Sequence, residues 1–204
     1  MARVLAFDYD GVLVDSYDVF KRYFLMACQE ENIDSISSEH DFLSLFDGNL
    51  YERMTQQGLS RDQILRIVLT VRDGIIQEQD SIKPFHGIRD MVHELADGNI
   101  LAVVTSNDTG LVRHFLKTYD MDCFTDILGS DREPSKQAKL QHLRRQHHAT
   151  CHYIGDTAGD IHEGTKANVT TIAVTWGWHT EQRLRRAAPD HVVHTPGELL
   201  ALFR

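Results

Sequence analysis

Six short apolar runs, at 4–7, 100–104, 125–128, 151–154, 170–174 and 191–193, recur along the chain, with helix-length amphipathic stretches between the later ones. Runs of four to six apolar residues suit strands buried on both faces. The stretches at 88–96, 111–119, 135–146 and 161–166 instead place apolar residues at helical spacing. A strand that returns to its sheet through a helix lies parallel to its neighbour, and the helices cover both faces. The alternation therefore predicts an α/β fold, a doubly wound parallel sheet.

The interval 16–81 breaks this rhythm. It holds helical patterns at 19–30, 41–45, 50–57 and 61–78 without a strand between them. It follows the first strand directly, where an open α/β sheet forms its ligand crevice at the carboxyl ends of the strands. The expected organisation is a core of residues 1–15 and 82–204 with a helical cap at 16–81, and 204 residues suffice for both.

Composition excludes several classes of partner. A formal charge of -9 opposes non-specific binding to nucleic acid, whose phosphates require a basic surface. No apolar run approaches the ~20 residues of a membrane span, and the apolar N-terminus is broken at Asp8 and Asp10 before it reaches the length of a signal sequence. Cys28, Cys123 and Cys151 form no close pair, which suits a reducing compartment. The expectation is a cytoplasmic monomer or homodimer acting on a small molecule. The twelve histidines are scattered and suggest no metal site.

Chemistry concentrates where the strands end. Asp8 and Asp10 flank one residue at the end of the first run, with Gly11 behind them to permit a turn. Two such carboxylates repel unless a cation or shared proton intervenes, and the same pairing can make one a nucleophile and the other an acid/base. Thr105, Ser106 and Asn107 follow the second run and open a helix, offering hydroxyls and free N–H groups to phosphate oxygens. Lys136, after Pro134 and Ser135, supplies a point cation, with Lys139 one turn later and Arg132 as rivals. Asp156 ends the fourth run and Asp160 lies one helical turn on. Hard cations such as Mg2+ prefer carboxylate oxygens, so Asp156 joining Asp8 makes a plausible site, with Asp160 a ligand through water or a group that orients one. Each piece alone reads as ordinary helix capping; four together at successive strand ends do not.

In this order the four motifs resemble those of the haloacid dehalogenase superfamily, in its phosphoglycolate phosphatase-like branch with a helical cap after the first strand. The resemblance spans essentially the whole chain and includes Val174-Thr175-Trp176-Gly177-Trp178. It implies a magnesium-dependent phosphatase for a small phosphorylated metabolite. Asp8 would be the nucleophile, Asp10 the general acid and base, and Ser106 and Lys136 ligands of phosphate. Mg2+ would sit on the Asp8 carboxylate, the Asp10 backbone carbonyl and Asp156. An aspartate at position 10 favours phosphate chemistry over carbon–halogen cleavage. Asn168 stands where the branch usually has glycine, and asparagine is the other residue that tolerates a left-handed backbone. The segment 46–53 resembles the substrate-contacting loop of such caps, so Asn49 and Arg53 are further candidates, although Asn49 equally suits a helix cap. A phosphoglucomutase-type phosphotransferase and a non-catalytic homologue are the alternatives.

Overall fold

The computed structural model describes residues 3–133 and 135–204; Met1, Ala2 and Pro134 lie outside the described residues. In chain order the elements are β1 (Arg3–Phe7), β2 (Val14–Asp15), α1 (Tyr17–Glu30), α2 (Glu39–Leu45), α3 (Leu50–Gln56), α4 (Arg61–Gln77) and β3 (Lys83–Pro84). There follow α5 (Ile88–Ala96), β4 (Ile100–Val104), α6 (Thr109–Thr118), β5 (Asp126–Leu128), α7 (Lys136–His147), β6 (Thr150–Gly155) and α8 (Ala158–Lys166). The chain ends with β7 (Thr170–Val174), α9 (Glu181–Arg186), β8 (His191–Val193) and α10 (Pro196–Ala201).

The main sheet has the order β5-β4-β1-β6-β7-β8, with every pairing parallel. Alternation along β1 sends Leu5 and Phe7 into one apolar cluster and Val4 and Ala6 into another on the opposite face. The doubly wound parallel sheet expected from the sequence is thus the one observed. The chain builds outward from β1 to β4 and β5, then crosses back to β6 on its other side. That reversal makes the carboxyl end of β1 the switch point where a crevice opens.

Helices α1 to α4 all lie between β2 and β3, and α1 packs along α4. Their apolar residues, including Phe24, Phe42, Met54 and Ile67, belong to the same cluster as Leu5 and Phe7, so the insertion shares its core with one face of the sheet. The sequence gives no sign of the ribbon at the insertion's base. There Val14 pairs with Pro84 and Asp15 with Lys83 in antiparallel register, and two-residue strands carry no periodicity to detect. The C-terminal helices α9 and α10 are equally silent in the sequence, each being only six residues long.

Gly74, inside α4, lies against Tyr23 of α1: a Cβ there would sit 2.2 Å from the ring Cγ. Substituting alanine gains about 1 kcal/mol of helix propensity, but overpacking a fitted contact costs about 1–3 kcal/mol. Gly74→Ala should therefore lower the urea midpoint, with a net loss of about 1 kcal/mol. A rise in the midpoint would mean that α1 and α4 do not pack this closely.

Candidate active site

Four strand ends converge at the crevice: Asp8 follows β1, residues 105–107 follow β4, Lys136 opens α7 after β5, and Asp156 follows β6. Gly11 lets the first of these turn away sharply. Its φ is +77°, and a Cβ on it would lie 2.1 Å from Asp156 Oδ2, so no side chain fits.

At the centre, the Lys136 ammonium donates to Asp8 Oδ2 and to Asp160 Oδ1, each at 2.7 Å. Asp160 is itself held on both oxygens. Its Oδ1 also accepts from the Tyr153 hydroxyl at 2.8 Å, and its Oδ2 accepts from the Thr157 N–H and hydroxyl at 3.2 and 2.6 Å. Lys139 goes elsewhere: its ammonium donates to the Thr105 carbonyl at 2.6 Å, and burial together with the nearby Lys136 charge lowers its pKa to about 8. Of the two lysines the sequence leaves open, Lys136 is the one that reaches Asp8. Arg132 is exposed, beside Asp131.

Asp8, Asp156 and Asp160 each bring an oxygen within 4.8 Å of the others. Asp156 Oδ2 accepts from the Trp178 backbone N–H at 2.7 Å, while its buried Oδ1 has no partner among the described residues. A bare buried carboxylate oxygen is costly, and a hard cation shared with Asp8 would satisfy it. The residues present fit such an ion, with Asp8 and Asp156 offering oxygens to it. Asp160, which already accepts two hydrogen bonds on each oxygen, is better suited to holding Lys136.

The electrostatics agree. Burial, then repulsion from Asp160, raises the Asp8 pKa to about 7 against the pull of Lys136. Burial, then Asp160 and Asp8, pushes Asp156 well above the carboxylate range. Asp160 is lowered, because Lys136 and its hydrogen-bond donors outweigh burial. The one lysine cannot neutralise the three carboxylates.

Asp10 stands beside this group. Its Oδ1 accepts from the Ser16 hydroxyl at 2.6 Å and its Oδ2 from the Asn107 amide at 3.4 Å. Burial raises its pKa despite those two bonds, the direction that suits a carboxyl exchanging a proton with a substrate. Thr105 uses its hydroxyl to accept from the Asn107 N–H at 3.0 Å, and Ser106 lines the cavity with it. Asp8, Asp10, residues 105–107, Lys136 and Asp160 all border one cavity of about 420 Å³.

The insertion closes over this cavity through the segment after α2. Phe46 O accepts from the Gly159 N–H at 2.8 Å, and the Asp47 carboxylate accepts two 2.7 Å bonds from Arg183. His179 accepts the Ala158 N–H on Nδ1 and so donates from Nε2 to Leu43 O at 3.1 Å. The Trp178 ring meets Phe46 edge-on at 4.8 Å. Asn49 caps α3 by accepting from the Tyr51 and Glu52 N–H groups, and its amide also donates to Glu163 at 3.3 Å on the cavity wall. Arg53 lies outside that wall; its guanidinium donates to Ser44 O and Gln56.

Sequence reasoning passes over Ser16, Tyr153, Glu163 and Trp178. Thr157 and Asp160 do form the capping box that their spacing announces. Nothing local, however, indicates that Lys136, 24 residues away, comes to the same carboxylate.

Comparison with known proteins identifies the family. The model of the haloacid dehalogenase-like hydrolase family matches residues 5–174. A phosphoglycolate phosphatase from Synechococcus elongatus is 25% identical over 97% of this chain and 95% of its own length. A pyrophosphatase from Oceanobacillus iheyensis is 25% identical over 98% of this chain and 96% of its own length. Among solved structures, a haloacid dehalogenase-like hydrolase from Streptococcus pneumoniae superposes with a TM-score of 0.81 at 26% identity, covering 100% of this chain and 99% of that one.

The sign of the pH dependence follows from Asp8. Its folded pKa of about 7 exceeds the ordinary 3.8, so between those values the folded state holds the proton more tightly than the unfolded chain does. The metal-free protein should therefore lose stability as pH rises through that window. A cation such as Mg2+ held by Asp8 and Asp156 would replace those protons, so its stabilisation should grow over the same range, reaching about 2.7 kcal/mol at a hundredfold excess over Kd. Thermal unfolding at pH 5 and pH 7.5, with and without Mg2+, checks this; an equal Mg2+ shift at both, or one that survives Asp156→Asn, would contradict it.

Proposed function

Because the chain belongs to the haloacid dehalogenase-like hydrolases, we propose that it is a magnesium-dependent phosphatase that works through an aspartyl-phosphate on Asp8. The observation that carries this reading is the Asp8 carboxylate fixed 2.7 Å from the Lys136 ammonium, beside the partnerless Asp156 Oδ1. The relatives named for phosphoglycolate and pyrophosphate support a small phosphorylated substrate.

In the first step an Asp8 oxygen attacks phosphorus, the ester P–O bond breaks, and the leaving oxygen takes the Asp10 proton. In the second, water attacks phosphorus while Asp10 takes its proton, the bond to Asp8 breaks, and phosphate leaves. Splitting one displacement in two lets a single carboxyl serve as acid and then as base. Ser16 and Asn107 hold Asp10 in place for both steps. Ser106 and Lys136 bind the phosphoryl oxygens, and Asp160 orients Lys136. Asp8, Asp156 and the Asp10 backbone carbonyl would hold Mg2+, which would supply charge neutralisation around the phosphoryl group.

Residues 16–81 act as a cap over the core formed by the rest of the chain, excluding water during the first step. Three unpaired cysteines suit a cytoplasmic setting. Among the described residues no helix is long and apolar enough to cross a membrane.

The test is hydrolysis of p-nitrophenyl phosphate with and without Mg2+, using wild type, Asp8→Asn and Asp10→Asn. Activity should require Mg2+, vanish in Asp8→Asn, and fall on the order of 100- to 10,000-fold in Asp10→Asn. Full activity in Asp8→Asn would refute the covalent mechanism, and transfer of phosphate to a sugar instead of water would indicate a phosphotransferase.

A further inference from the structure

The cavity's two ends differ in kind. The core lines it with six carboxylates, Asp8, Asp10, Asp108, Asp131, Asp160 and Glu163, around Lys136; the insertion lines it mainly with apolar side chains, Phe20, Phe24, Phe46, Ile67 and Ile75, joined by Trp178. Among the described residues lining it, the only cations are Lys136 and Arg72. Lys136 is committed to two carboxylates. Arg72, on α4, has no carboxylate partner among the described residues, whereas Arg22 and Arg66 of the same insertion are paired with Glu78 and Glu31.

A leaving group has to match what it touches. Glycolate or phosphate is small and anionic; it would leave most of a 420 Å³ cavity unfilled and set its charge against aromatic rings. A sugar would present several hydroxyls to an insertion wall where, among the described residues, the one buried side-chain donor without a partner is the Trp178 indole N–H. A ring-sized apolar body covers the wall, and a cavity of this volume falls in the range that encloses such ligands. Arg72, an exposed residue on that wall, carries a guanidinium that can meet an acceptor able to bind two N–H groups.

We infer that the substrate is a phosphate ester of an apolar, ring-sized alcohol carrying one carboxylate-like group at the end remote from phosphate, and that Arg72 reads that group. The inference rests on the phosphatase reading above, and Arg72 acts on selectivity among esters rather than on the chemistry at phosphorus.

The experiment compares kcat/KM for 4-carboxybenzyl phosphate, benzyl phosphate, phosphoglycolate and pyrophosphate, with p-nitrophenyl phosphate as a reference for turnover. Wild type should favour 4-carboxybenzyl over benzyl phosphate by about fivefold, the scale of a partly exposed ion pair, and both over the two small substrates. In Arg72→Ala the ratio of the two benzyl esters should collapse to about one. In Arg72→Glu it should invert, and 4-(aminomethyl)benzyl phosphate should become the better ester. Arg72 is exposed, so these variants should fold, and turnover of p-nitrophenyl phosphate reports that they do. A preference for phosphoglycolate or pyrophosphate, or a benzyl ratio indifferent to Arg72, overturns the inference and leaves the phosphatase intact. No turnover of any ester, p-nitrophenyl phosphate included, overturns both.

Discussion

The Lys136 ammonium is the positive charge beside which three buried carboxylates, Asp8, Asp156 and Asp160, are assembled. Without it, Asp8 and Asp160 would face each other inside a low-dielectric crevice with no compensation. Two paired bonds of 2.7 Å fix the ammonium between strands β1 and β6, so one side chain ties the nucleophile candidate to the helix after the fourth motif. The lysine still leaves the group short of positive charge. That shortfall is what would make a divalent cation favourable in the crevice.

Much of this is legible in the amino-acid sequence. The six main strands announce themselves because strands buried on both faces read as unbroken apolar runs, and the carboxylates announce themselves because they interrupt those runs at one end. Asn168, of the residue type that tolerates the left-handed region, adopts it with a φ of +57°. What the sequence does not convey depends on packing between distant elements. Lys136 and Lys139 lie one turn apart on one helix and look equivalent until α7 is set against the sheet, where the second meets the Thr105 carbonyl. Arg53 is the cap arginine that the sequence singles out, yet it stays outside the cavity wall, and the placement of α4 brings Arg72 there instead.

The insertion and the sheet share one apolar cluster, and the cavity lies where the two meet. Phe46 presents its backbone to Gly159 and its ring to Trp178. The segment after α2 is therefore held by main-chain bonds, an ion pair and aromatic packing at once, while Asn49 bridges to Glu163 on the cavity wall.

Trp178 joins these two regions in a single residue: its backbone N–H holds Asp156 and its ring packs into the insertion. Trp176 lies two residues away and donates its indole N–H to Val12 O at 3.1 Å, in the loop behind Asp10. The chain contains only these two tryptophans. Its long-wavelength ultraviolet emission thus originates entirely at the seam between sheet and insertion, giving the molecule a built-in optical probe of the place where the Asp156 carboxylate meets the inserted helices.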